Sequence, residues 1–132
     1  MLFALPVMAH VAPLTFGGPL SGANENPPTT SLGTGSATVT IDPVADTMRV
    51  EVTFSGLTTS NITGAHIHCC VTQGGNTGVA TTMPAFPGFP LGVTSGTYDN
   101  TLNMLELGSY NMAFVTANGG QPQVPRLLYS PE

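Results

Sequence analysis

Two neighbouring segments alternate apolar and polar residues, and this pattern limits the fold more than any other feature of the chain. The segments are residues 34–42 and 47–54, and Asp42 and Pro43 begin the short connection between them. Side chains of a strand point alternately to its two faces, so each segment places its apolar residues on one side. Those residues are Ala37, Val39 and Ile41 in the first segment and Met48, Val50, Val52 and Phe54 in the second. Because Asp followed by Pro is typical of a turn, the pattern predicts an antiparallel hairpin with one buried face.

The composition supports a single β-rich domain and argues against one class of partner. The chain has 132 residues, of which 7% are charged, against roughly 25% in an average soluble protein. Its 16 glycines and 12 prolines favour short strands joined by turns. The net charge is -5, and Arg49 and Arg126 are the only basic residues besides histidine. This balance argues against a nucleic-acid partner, which would need a basic face.

The N-terminal residues 1–12 are apolar and rich in small side chains. They resemble the apolar and cleavage regions of a secretory signal peptide, with residues 9–12 near the cleavage position. The run is too short to span a membrane. The signal interpretation predicts a secreted, extracellular or periplasmic protein. Cleavage of the signal peptide would also remove His10, which then could not be a ligand in the mature chain. An ordinary first β-strand is the alternative.

The remaining segments complete the predicted β domain, which covers residues 13–120. In chain order we assign a first strand within 13–23, a long loop at 71–92, a strand within 93–104, a short helix at 109–118 and an irregular tail at 121–132. We expect the long loop to fold back over the sheet near His66 and His68. Ser109 can cap the helix, and Asn118 before a glycine is typical of a helix end. Tyr110 and Phe114 share a helical face, which predicts core contact.

The segment 63–70 contains two of the three histidines and both cysteines. In an extended strand His66, His68 and Cys70 would point to one face, and the apolar residues between them would point to the core. Neutral imidazole is a common ligand of zinc and copper. A closed site needs about three or four ligands, and Cys70, Asp99 or a partner chain could supply a third. The alternative is a pair of partly exposed histidines that hydrogen-bond to a neighbouring loop.

The cysteines Cys69 and Cys70 are adjacent, and neighbouring residues can form a disulfide only with a strained ring, so we do not expect an ordinary disulfide staple between them. Three interpretations stay open at this point. They are small buried apolar residues, a strained and redox-sensitive pair, or a pair of which Cys70 is a metal ligand.

Several motifs in a fixed order resemble the chordin-type (CHRD) domain family, and in detail a bacterial secreted subgroup of it. The family motifs are Leu20-Ser21-Gly22-Ala23-Asn24-Glu25-Asn26-Pro27-Pro28, the strand at 35–41, Val52-Thr53-Phe54-Ser55-Gly56-Leu57 and Ala65-His66-Ile67-His68. The subgroup is indicated by Cys69-Cys70 and by the runs at 78–82, 86–98 and 113–120. The resemblance implies an all-β fold, an immunoglobulin-like or superoxide-dismutase-like Greek-key sandwich or barrel. It also implies that residues 64–68 are similar to the dismutase strand with two copper ligands. Dismutase activity is not implied, because the chain has no further histidine after His68.

The resemblance ends near Gly120, where family members continue into a closing strand. We therefore expect an exposed sheet edge that invites self-association, and a truncated or frame-shifted product would explain the difference.

The function that these observations predict is a secreted, non-enzymatic β-module that binds an unidentified protein or surface component outside the cell. The alternative is a copper- or zinc-binding module built on His66 and His68. No Ser-His-Asp order, spaced acid pair, phosphate loop or cofactor fingerprint indicates an enzyme.

Overall fold

A computed structural model describes residues 11–58, 61–70 and 77–122. Its four strands form one antiparallel sheet in the order β1-β2-β3-β4. The strands are β1 (Leu14–Ser21), β2 (Thr34–Asp42), β3 (Thr47–Ser55) and β4 (Gly96–Asn103), and one short helix, α1 (Met112–Ala117), follows them. Short 3-10 turns occupy Gly22–Asn24 and Leu107–Ser109. The predicted all-β class with one short helix is confirmed. Among the described strands the order is sequential, without a Greek-key crossover.

The predicted terminal segments fall almost entirely outside these ranges. The signal segment with His10 lies at 1–12 and the tail at 121–132, of which residues 11, 12, 121 and 122 are described. Within the described ranges, no helix has the length and apolar character that a membrane crossing requires.

The β2–β3 hairpin has the predicted register and turn. Val39 lies opposite Val50, and Ile41 lies opposite Met48. The Oδ1 atom of Asp42 accepts hydrogen bonds from the backbone N–H groups of the second and third residues after it, at 2.9 and 3.0 Å. The alternation of apolar residues therefore sets the register, and the aspartate closes the turn between the strands.

The core lies against the inner face of β3 and β4. Its sheet members include Met48, Val50, Phe54, Tyr98 and Leu102, and its other members include Phe86, Phe89, Met104, Tyr110 and Val115. The aromatic rings stack in pairs, with 5.8 Å between the ring centres both for Phe54 with Phe89 and for Phe86 with Tyr98. The layer that covers the sheet is irregular, and single β-bridges such as Ala65–Ala85 join its segments. The fold is thus sandwich-like, with one regular sheet.

The helix begins later than the sequence predicts. Asn111 caps α1, because its side chain accepts a hydrogen bond from the N–H of Ala113 at 3.0 Å. The predicted cap, Ser109, is buried and instead donates to the carbonyl of Asn103 at 2.6 Å. The predicted contact of Tyr110 with the core is confirmed, and its ring stacks on Phe114 at 6.3 Å.

The inner face of β1 is uncovered in the described part of the chain. Phe16 lies opposite Val39, and Leu14 lies opposite Ile41. These β1 side chains therefore lie on the inner face of the sheet, the same face that the core covers at β3 and β4. Phe16 nevertheless exposes 52% of its surface. The covering layer therefore stops short of β1, and an apolar strip of the inner face stays open.

Candidate functional site

An open groove crosses the sheet where the covering layer ends. Its floor is the inner face of β2 and β3, with Val39, Val50 and Val52, and Leu20 of β1 lies on one side. The consecutive residues 64–68 border the other side. The groove has a volume of about 600 Å³, which is within the size range of ligand pockets, roughly 300–1,000 Å³. Its apolar floor is suited to binding apolar side chains.

Residues 62–68, which we call the His segment, are extended but do not form a regular strand. Bonds between backbone groups join them to the loop that follows: the Ala65 N–H donates to the Pro84 carbonyl at 3.1 Å, and the Ile67 carbonyl accepts from the Ala80 N–H at 2.9 Å. The predicted alternation is confirmed for Ala65 and Ile67, which pack against the core. The prediction of a continuous strand is wrong, because the partner segment is an irregular loop that bridges it only at single residues.

On the side of the His segment that borders the groove, two peptide groups have no backbone partner within residues 11–58, 61–70 and 77–122. Gly64 and His66 make no backbone hydrogen bond to any other described residue. Neighbouring peptide groups of an extended chain point to opposite sides, and those of Ala65 and Ile67 are taken by the loop. The peptide groups of Gly64 and His66 therefore form a short free edge beside an apolar floor.

The imidazoles of His66 and His68 are held by the same kind of hydrogen bond. The Nδ1 atom of His66 lies 3.1 Å from the Pro84 carbonyl oxygen, and that of His68 lies 2.6 Å from the Thr77 carbonyl oxygen. A carbonyl oxygen can only accept, so each Nδ1 carries the hydrogen and donates it. In the neutral ring each Nε2 then keeps a lone pair. The ring centres are 5.0 Å apart, so the structure brings the two predicted ligands together.

The loop folds back as predicted in its described part, residues 77–92, since both carbonyl acceptors belong to it. Residues 71–76 of that prediction lie outside the described ranges.

Cys69 and Cys70 are joined to each other by a disulfide bond. The interpretation as free, buried small residues is therefore wrong, and the oxidised pair is the form present. A thiolate is the species that binds metals, and a disulfide sulfur is not one. In this state the structure removes Cys70 from the candidate ligand set.

Asp99 lies on the outer face of the sheet, away from the histidines. Its two carboxylate oxygens accept from Nε and Nη2 of Arg49 at 2.9 and 2.7 Å. The hydrogen bonds from Arg49 lower the pKa of the Asp99 carboxyl, and the charge of the same guanidinium adds to the effect. Asp99 neighbours the inward Tyr98 on β4 and must point the other way. In the described ranges no group of three or more His, Cys, Asp or Glu side chains is placed to hold a metal ion.

Thr81 is a site residue that no sequence pattern indicated. Only 3% of its surface is exposed, and its Oγ1 accepts the N–H of Ile67 at 2.8 Å. Because Ile67 lies between the two histidines, this bond fixes the backbone that carries both rings. A threonine in an irregular loop gives no periodic signal, so its contact could be found only from the structure.

Comparison with known proteins gives one match. A family model described as the CHRD domain matches residues 16–119. Neither the curated proteins nor the solved structures contain a match. The matched range includes β2, β3, β4, the His segment, α1 and all of β1 except its first two residues, so the groove and both histidines lie within it.

Proposed function

Because the chain belongs to the CHRD domain family, we propose that it is a secreted, non-enzymatic module that binds an extended peptide segment outside the cell. The observation that supports this function is the open groove, whose apolar floor runs beside the free backbone edge of Gly64 and His66. The bacterial subgroup and a likeness to the dismutase fold are finer parts of the same proposal and rest on sequence motifs.

The mode of binding that fits the groove is strand addition. An extended peptide can pair its backbone with the free edge of the His segment, and every second side chain then points to the floor. Val39 and Val52, which are only partly buried, would contact those side chains. The groove thus offers backbone bonds for affinity and apolar contacts for selectivity, which is how strand-adding domains recognise peptides.

The charge of the chain limits the kind of peptide. The net charge is -5, and Glu25 borders the groove at the end that contains Leu20. Like charges across an interface reduce association. We therefore expect a neutral or weakly basic segment with apolar residues at alternate positions.

We assign no reaction to the groove. His66 and His68 use their Nδ1–H groups on backbone carbonyls, and in the described part of the chain neither ring bonds to a serine or threonine hydroxyl. A nucleophile paired with a base, which hydrolytic sites need, is therefore not formed by these residues.

The test is selection from a displayed library of short peptides on the immobilised full chain, followed by affinity measurements with one synthetic binder. Leu20→Arg places a long cation in the groove at a position that is 42% exposed, so the core is left intact. The matched control is Thr38→Arg, on the opposite face of β2. We expect at least about a tenfold loss of affinity in the first variant, equivalent to roughly 1.4 kcal/mol, and no change in the second.

The backbone part of the proposal has its own control. A version of the peptide that is N-methylated at alternate residues lacks the donors for strand pairing and should bind more weakly. Equal affinity of the two arginine variants, or failure to select any peptide, would contradict the groove as the binding surface.

A further inference from the structure

The two histidines carry a property that peptide binding does not use. Both rings donate from Nδ1 to a backbone carbonyl, which fixes the tautomer and the orientation of each imidazole. Metal-binding histidines almost always make such a bond through the nitrogen that does not touch the metal. Because the hydrogen is on Nδ1, the second ring nitrogen, Nε2, keeps the lone pair with which it can bind a metal.

The spacing of the rings fits one ion bound by both Nε2 atoms. A metal about 2.0 Å from Nε2 lies about 3.2 Å from the centre of the same ring, because the nitrogen is about 1.1 Å from that centre. With ring centres 5.0 Å apart, the two centres and the ion form an angle of about 100°, close to the angles of square and tetrahedral sites. The separation therefore allows adjacent coordination positions on one ion.

Exclusion of the other predicted ligands leaves a donor set that narrows the choice of metal. Cys70 is held in a disulfide, and Asp99 is bound to Arg49 on the outer face. The donor set is thus two neutral imidazoles, which suit first-row metals from iron to zinc. For a given set of nitrogen donors Cu²⁺ binds most tightly in that series.

We propose that His66 and His68 form a Cu²⁺ site through their Nε2 atoms, with the remaining coordination positions open to water or to an incoming ligand. This site goes beyond the peptide groove and does not depend on whether the groove binds a peptide. It requires that the Nε2 atoms of the two rings converge on one ion, which the 5.0 Å separation of the ring centres allows.

The experiment is titration of the full chain, with the disulfide intact, with Cu²⁺ alone and with Zn²⁺ alone. Calorimetry measures affinity, and electron paramagnetic resonance detects nitrogen coupling to the bound copper. The variants are His66→Asn and His68→Asn. The Asn side-chain amide can donate where Nδ1 did, but nothing replaces Nε2. His10→Ala is the matched control, because it removes the one histidine of the sequence that the proposal does not use.

We expect one equivalent of Cu²⁺ bound with coupling to two nitrogens, and tighter binding of Cu²⁺ than of Zn²⁺. Each Asn variant should lose at least about tenfold in copper affinity, since even outer-shell changes cost about 10–100-fold. His10→Ala should bind as the parent does. Urea midpoints close to that of the parent show that the variants are folded, and an unfolded variant is replaced by the corresponding Gln substitution. Copper binding that survives both Asn substitutions, loss of binding in His10→Ala, or tighter binding of Zn²⁺ would overturn the proposal.

Discussion

The substitution Thr81→Val removes the hydroxyl that holds the His segment while it keeps the shape of the side chain. The Ile67 N–H then loses its acceptor at 2.8 Å in a site where Thr81 is 3% exposed. A buried donor without a partner costs about 1–3 kcal/mol, and the added buried methyl offsets about 0.8 kcal/mol of that cost. We therefore expect the free energy of unfolding to fall by roughly 0.2–2.2 kcal/mol.

Urea denaturation followed by circular dichroism measures this change, with the slope of the unfolding free energy against urea unchanged. Thr101→Val is the matched control, because Thr101 is exposed on β4 and its hydroxyl makes no hydrogen bond to the described part of the chain. A surface substitution of this kind should alter stability by less than about 0.5 kcal/mol. Equal effects of the two substitutions would refute the assignment of Thr81 as the residue that fixes the His segment.

Three further predictions test the core, the buried hydroxyl of Tyr110 and the Arg49–Asp99 ion pair on the outer face. Phe86→Ala should lower the free energy of unfolding, measured by urea denaturation, by about 3–5 kcal/mol. Phe16→Ala should lower it much less, because Phe16 is 52% exposed; similar losses would show that β1 is covered. Burial raises the pKa of Tyr110 to about 12, so stability should be full below about pH 10 and fall as the pH rises toward 12. The chain has two further tyrosines, so the ultraviolet titration of the parent is compared with that of Tyr110→Phe, and a difference between them that develops near pH 10 would contradict this. The pKa of Asp99 is lowered by Arg49, so its stabilisation is present above about pH 4 and is lost at lower pH; Asp99→Asn should therefore lose less stability on acidification than the parent, and an identical acid profile would oppose it.

The sequence predicts the local elements of this fold well, because their signals are contained in the elements themselves. The alternation in residues 34–42 and 47–54 is a direct consequence of a sheet with one buried face, and the observed register follows it. The helix start is harder to place. Both Ser109 and Asn111 can cap a helix, and only the burial of Ser109 against Asn103 decides between them.

The candidate site is predicted in part. The i and i+2 spacing of His66 and His68 correctly places their rings side by side, since it needs only an extended backbone. The loop carbonyls that orient the rings, the role of Thr81 and the outer position of Asp99 depend on which distant segments pack together. Local patterns contain no information on that packing, and the open floor beside β1 depends on where the covering layer ends.

The most direct test of the account is the protonation of the two imidazoles, because the site rests on how the loop holds them. Long-range correlation spectra of ¹⁵N-labelled full chain, recorded at neutral pH without metal, report which ring nitrogen carries the hydrogen. For the neutral rings we predict the Nδ1–H tautomer at both His66 and His68. An Nε2–H form at either residue would contradict the orientation that the Thr77 and Pro84 carbonyls impose, and with it the proposed copper site.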